Sequence, residues 1–205
     1  MTVVAATTPY AWPFDGRIDP TITALVITGA DAATAAVTPH DASVEANIAA
    51  LRAGLAPSGV LVVIVHHDLV DTGGGHGGRP SPDTPSTPVS AGDDLVVVAA
   101  GHDGFYGSRL DAALRRAGRT HLLVAGLGFE TTVHSTLRRA NDRGYECLVI
   151  ADACACGDPS LRAASVSSIE MSGGIFGAVG RTSDVLVTYL PFIPFIPSDP
   201  TEEQP

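Results

Sequence analysis

The sequence predicts an α/β fold, a three-layer α/β/α domain built on a six-stranded parallel sheet. Three observations carry that prediction. Short β-rich runs alternate with stretches of helical periodicity, the order that parallel sheets with crossover helices require. The runs VLVVIV (60–65) and LVVVA (95–99) are apolar almost throughout, as strands covered on both faces are. Hydrophobic residues make up 45% of the 205 positions, enough to fill one core in one domain of ordinary size.

Taken in order, Thr23–Thr28 (TALVIT) reads as the first buried strand. Ser43–Leu55 places Val44, Ile48, Leu51 and Leu55 at helical spacing, and Pro57 and Gly59 stop it. Strands follow at Val60–Val65 and Leu95–Ala99. Ser108–Ala117 is a helix with Leu110, Ala113 and Leu114 inward and Arg115 and Arg116 outward. Strand His121–Ala125, helix Thr131–Asp142 and strand Cys147–Ala151 come next, then a helix near Leu161–Met171. Val185–Thr188 is read as the last strand, after the glycine turn Gly173-Gly174-Ile175-Phe176-Gly177. Residues 1–190 thus form one domain. Within it, Asp71–Gly92 is so rich in Gly, Pro and Ser that a long flexible loop is expected. Residues 191–205 form an arm that repeats Pro-Phe-Ile and then a polar tail; proline disfavours helix there, so an extended arm packed on its own domain or on a neighbouring subunit is expected.

The formal net charge is −10, spread along the chain, which argues against nucleic acid and anionic membranes as partners. No apolar run approaches the roughly 18 residues of a membrane span, and the first residues lack a basic stretch followed by an apolar one. The three cysteines, Cys147, Cys154 and Cys156, are an odd number in a domain of ordinary size and do not read as a disulfide framework. A cytoplasmic location is expected.

Asp94–Asp158 reads DDLVVVAAGHDGFYGSRLDAALRRAGRTHLLVAGLGFETTVHSTLRRANDRGYECLVIADACACGD. This stretch resembles the isochorismatase-like cysteine hydrolases. With YAWPFDG near the start and EMSGGIFGAVGRTSDVL near the end, it looks most like the ureidoacrylate and biuret hydrolase branch. The resemblance covers most of the chain, thins over 66–92 and ends at the C-terminal arm. It implies the isochorismatase-like α/β/α fold, an oligomer, and enzymes that cleave amide-type C–N bonds with an Asp–Lys–Cys triad. In this chain the aspartate position falls on Thr28, the lysine on Ala99 and the cysteine on Thr132. Every basic residue is arginine, so no lysine can substitute from elsewhere.

Ligands of open parallel sheets bind beyond the carboxyl ends of the strands. By the resemblance, three ends converge: after Thr28, after Ala99 and over Gly126–Thr132. A threonine hydroxyl at position 132 is a poor nucleophile unless a base touches it, and Thr28 is no base. The reading is a non-catalytic subunit or a small-molecule binding protein, a homo-oligomer or a partner of an active paralogue, with a small amide or ureido compound as its ligand. The alternative is a C–N hydrolase with a rearranged site. Candidate pocket residues are Asp31, His102, Asp103, Gly128, Glu130, Thr131 and Thr132, since histidines and carboxylates are the usual acids and bases. No cofactor and no metal site is expected: His66-His67-Asp68 and His76 match no ligand template. Cys154 and Cys156 read as small buried residues at a strand end. Arg79, Arg109 and Arg181 are the cations available to hold an anion.

Overall fold

Alternation along Thr23–Thr28 (β1) divides the molecule into its layers. Ala24 and Val26 join one buried cluster and Leu25 and Ile27 the other. The computed structural model describes residues 3–30, 34, 35, 38, 42–69, 89–91 and 94–194. Its strands are β1, Leu61–His67 (β2), Val89–Ala91 (β3), Asp94–Ala99 (β4), His121–Leu127 (β5), Glu146–Ala155 (β6) and Ala178–Gly180 (β7). The α-helices among the described residues are Ala42–Leu55 (α1), Leu110–Arg116 (α2), His134–Asp142 (α3), Arg162–Glu170 (α4) and Thr182–Tyr189 (α5).

The sheet order is β3-β4-β2-β1-β5-β6-β7, and all pairs are parallel except β3 with β4. Six parallel strands are therefore present, as expected. The chain runs from β1 outward through β2 to β4, then crosses back to β5 on the other side of β1. That reversal is the topological switch point, where open α/β sheets form ligand crevices. One face of the sheet packs on Leu110 and Leu114 of α2, Leu137 and Ala140 of α3 and Ile169 of α4. The other packs on Leu51 and Leu55 of α1, Val185 and Tyr189 of α5, and Val4 and Trp12 of the N-terminal segment. None of the described helices is long and apolar enough to cross a membrane.

Three expectations need correction. Val185–Thr188 is not a strand but part of α5. Its β-branched residues yield to packing: Val185 and Tyr189, four apart, are both fully buried against the sheet, and Leu186 lies over Gly54 of α1. The sixth parallel strand is instead β7, three small residues with no β-branched run to announce it. Second, Val89–Ala91 belongs to the sheet, pairing antiparallel with Asp94–Val96; the rest of the expected loop, residues 71–88 and 92, lies outside the described residues. Third, the arm begins as a turn of 3-10 helix, Leu190–Phe192, with Pro191 in its first turn where no N–H is needed. Residues 195–205 lie outside the described residues.

Candidate functional site

Thr28, Ala99 and Thr132 are all buried, with 0%, 0% and 1% of their surface exposed. Thr28 ends β1 and Ala99 ends β4. β2 lies between those two strands, and its last residue, His67, fills the space between them. His67 pairs in register with Ala99, and Thr28 with Val65.

The imidazole is held at both ends. His67 Nδ1 lies 2.6 Å from the Gly101 carbonyl oxygen, which can only accept, so Nδ1 carries the proton. In the neutral ring Nε2 is then the acceptor, and the Thr28 hydroxyl donates to it at 2.6 Å. A hydroxyl–imidazole–carbonyl chain thus runs across the carboxyl ends of β1 and β2 to the loop after β4. His67 is 4% exposed. Its neighbours on the strand, His66 and Asp68, point to the opposite face by the two-residue period, so the three cannot gather on one ion. Among the described residues no group of His, Cys, Asp and Glu is arranged to hold a metal.

On the other side of the switch point, β5 ends in Leu127 and the chain turns at Gly128, whose φ of +74° suits glycine. There it enters a π-turn, Phe129–Val133, in which Val133 N–H donates to Gly128 O at 3.0 Å. Single π-turns at the start of a helix often mark functional sites. Thr132 sits inside it. Its hydroxyl donates to the Leu127 carbonyl at 2.5 Å, with Gly128 O farther off at 3.3 Å. Among the described residues no ionisable group is bonded to it. Gly29, next to Thr28, brings the two threonines together: a Cβ there would lie 3.1 Å from Thr132 Oγ1.

The remaining candidates are scattered. Asp31 lies outside the described residues, as do His76 and Arg79. Asp103 is a bracket for its own loop: one carboxylate oxygen accepts from Phe105 N–H at 2.9 Å, the other from Arg139 Nε of α3 at 3.0 Å. His102, beside it, has a buried Nδ1 with no hydrogen bond. Glu130 accepts from the backbone N–H of Asp158 at 3.1 Å. It lines a small cavity of about 220 Å3 with His134, Ser165 and Ser168, away from the Thr132 hydroxyl. Thr131 is exposed, its hydroxyl 3.3 Å from Gly128 O. So of the expected pocket set, Gly128 and Thr132 lie at the switch point beside Thr28, while Asp103 and Glu130 are committed to backbone and arginine partners. His67 was named in the sequence only as a residue with no metal template. The signal that could have found it is parity: Val63, Val65 and His67 share the buried face of β2.

The three cysteines are buried free thiols. Burial pushes the Cys154 thiol up to about 12, and Cys156 rises through burial first and the Glu130 carboxylate second. Neither is a thiolate nucleophile. His121 and His134 are shifted the other way, burial disfavouring their charged forms. Below their ordinary pKa of 6.5 the unfolded chain binds protons that the folded chain refuses. Their contribution to stability is therefore complete above that value and is lost as pH falls through it. The urea midpoint is expected to drop between pH 7.5 and 5.5, and His134→Gln should flatten part of that slope; a midpoint constant over this range would contradict it.

The isochorismatase domain family matches residues 23–183. Among curated proteins, the ureidoacrylate amidohydrolase RutB of Variovorax paradoxus is 33% identical over 99 residues, 48% of this chain and 38% of that protein. RutB of Methylobacterium radiotolerans is 38% identical over 78 residues, 38% of this chain and 30% of that protein. The matched stretch spans only about a third of these relatives' length. Among solved structures, a cysteine hydrolase from Pseudomonas syringae pv. phaseolicola superimposes with a TM-score of 0.68 at 20% identity, over 85% of this chain and 95% of that one. An isochorismatase family protein from Burkholderia thailandensis gives 0.66 at 23% identity, over 84% and 97%. These two likenesses establish the fold.

Proposed function

The chain belongs to the isochorismatase family, and we propose that it is a member that binds a small amide or ureido compound without hydrolysing it. The observation that carries this reading is the Thr132 hydroxyl. At the helix start where the resemblance puts the nucleophile, its single proton is held by the Leu127 carbonyl, and no base among the described residues is bonded to it. A carbonyl oxygen cannot take that proton at working pH, so the described residues give the hydroxyl no route to an alkoxide. Thr28 and His67 support the same reading. Where the resemblance puts a charged aspartate, the Thr28 hydroxyl is hydrogen-bonded to His67 instead. The ligand class follows from the relatives, which are ureidoacrylate amidohydrolases by name.

The experiment is a screen for ammonia release over ureidoacrylate, biuret and nicotinamide, run beside thermal melting with the same compounds. The expected result is no turnover above the uncatalysed rate and a saturable rise in melting temperature with one ureido compound. Ligand at 100 times its Kd would add about 2.7 kcal/mol. Turnover that vanishes in Thr132→Ala would overturn the reading.

The His67 chain favours one second reading. A hydroxyl bonded to an imidazole, itself fixed by a carbonyl, has the connectivity of a nucleophile, base and orienting group. In it the Thr28 oxygen attacks an amide carbon while His67 Nε2 takes the hydroxyl proton and returns it to the leaving nitrogen. Turnover abolished by Thr28→Val and His67→Gln but untouched by Thr132→Ala would select this reading over the first.

A further inference from the structure

A second cavity, about 330 Å3, opens beside the middle of β6 and the carboxyl end of β7. None of Thr28, His67 or Thr132 lines it. Its floor is an irregular stretch of β6. Val124 of β5 pairs with Val149, but Gly126 pairs with Cys154, so the intervening residues of β6 are thrown out of the ladder. Ala151 and Asp152, in that stretch, line the cavity. Bulged strands of this kind re-aim side chains beside binding sites. The roof is the N-terminal segment. Thr8 exchanges two backbone hydrogen bonds with Val179 of β7, at 3.1 and 2.7 Å. Ala6 lines the wall with a φ of +51°, a left-handed conformation costly for a residue with a side chain.

Four charged side chains face this space, two of each sign: Arg162, Arg181, Asp152 and Glu170. Most of their bonding capacity is spent on the protein. Arg162 donates from its two terminal nitrogens to the carbonyls of Cys154 and Ala151, at 2.9 and 2.6 Å. One Asp152 oxygen accepts from both the backbone N–H and the hydroxyl of Thr182, at 2.9 Å each. One Glu170 oxygen accepts from the Thr8 hydroxyl at 2.6 Å. What is left is asymmetric. The Arg181 side chain makes no hydrogen bond or ion pair among the described residues, and Asp152 and Glu170 each have a second carboxylate oxygen with no partner there.

We propose that this cavity binds a small zwitterion, a short-chain amino acid whose carboxylate meets Arg181 and whose ammonium meets Glu170. A ligand of a single sign fits worse. An anion would satisfy Arg181 but sit against Asp152 and Glu170, and a cation would face the two guanidinium groups. A dipolar molecule pairs with the Arg181 guanidinium and with an unspent carboxylate oxygen at once, and leaves the neutral sum of the wall unchanged. The walls are already fixed by strand ends and backbone bonds, so little ordering opposes binding. The volume lies at the small end of the range for ligand pockets.

The test is an NMR titration with glycine, 3-aminopropanoate, 4-aminobutanoate and 5-aminopentanoate, which step the distance between the two charges. Acetate and methylammonium at matched ionic strength are the single-charge controls. One member of the series should shift the amide signals of Thr8, Gly180 and Arg181 saturably, and the controls should not. Arg181→Ala and Glu170→Gln should each weaken that binding about tenfold, the size of one charge-assisted hydrogen bond. Arg181 is exposed, so its variant should melt as the parent does. The proposal fails if no member saturates by about 20 mM, a Kd too weak to count as a site. It also fails if acetate binds as well as the best zwitterion, or if Arg181→Ala leaves the Kd unchanged.

Discussion

Gly126→Ala should abolish the folded protein. Gly126 lies in β5 opposite Thr28, the strand end at the centre of the sheet. Its φ is +139°, and a Cβ would stand 1.9 Å from the Thr28 carbonyl oxygen and 2.9 Å from the Thr28 nitrogen. Neither neighbour is a flexible side-chain tip, so β1 and β5 would have to separate where the sheet is covered on both faces. The expected loss exceeds about 4 kcal/mol, a large part of the roughly 5–15 kcal/mol that holds a domain together. Gly144→Ala is the control. Gly144 also has a positive φ, +82°, but nothing lies within 4 Å of its added Cβ, so only the conformational cost of about 1–2 kcal/mol remains. Soluble yield and urea midpoint measure both. A Gly126→Ala protein as stable as the Gly144→Ala protein would refute the close approach of β1 and β5.

His67→Ala comes second, at about 3–5 kcal/mol. The substitution opens a cavity at a residue only 4% exposed and strips a partner from the Thr28 hydroxyl and another from the Gly101 carbonyl. Each buried polar group left unpaired costs about 1–3 kcal/mol, and the void adds to that. His67→Gln keeps an acceptor and a donor on one side chain and should recover part of the loss. Thr28→Val removes only one end of the chain and should cost about 1–2 kcal/mol. Chemical denaturation of the three variants orders them, and a His67→Ala midpoint equal to that of Thr28→Val would mean the Gly101 bond contributes nothing.

The layers of the fold were legible because their signal is local. VLVVIV, LVVVA and TALVIT are strands wherever they sit, and Leu51 with Leu55 can share only one helix face. The misplaced last strand shows where local signals stop. Val185-Leu186-Val187 has strand-like residues in a helix because α1 and the sheet offer it a surface, whereas Ala178-Val179-Gly180 becomes a strand because β6 offers it an edge. The candidate site was legible only in part, for the same reason. Thr28, Gly128 and Thr132 were placed by the family resemblance, which follows order along the chain. His67 enters the site because β2 lies between β1 and β4, a fact of strand order that no stretch of sequence contains. Asp103 and Glu130 carry the right chemistry for catalysis but are turned to Arg139 and to the Asp158 backbone by contacts with distant segments.

The pairing of Thr8 with Val179 also sets a schedule for making the protein. The segment that carries Trp12, fully buried in the finished fold, is translated well before its partner strand, since Val179 follows Thr8 by more than four-fifths of the sequence. At about 5–20 residues per second, the interval is on the order of ten to thirty seconds. During that time Val4 and Trp12 have no β7 to rest beside, and the growing chain carries apolar surface that β7 later helps to cover. Slow codons or a stalled ribosome before residue 180 would prolong that exposure, which makes translation speed a determinant of yield for this fold.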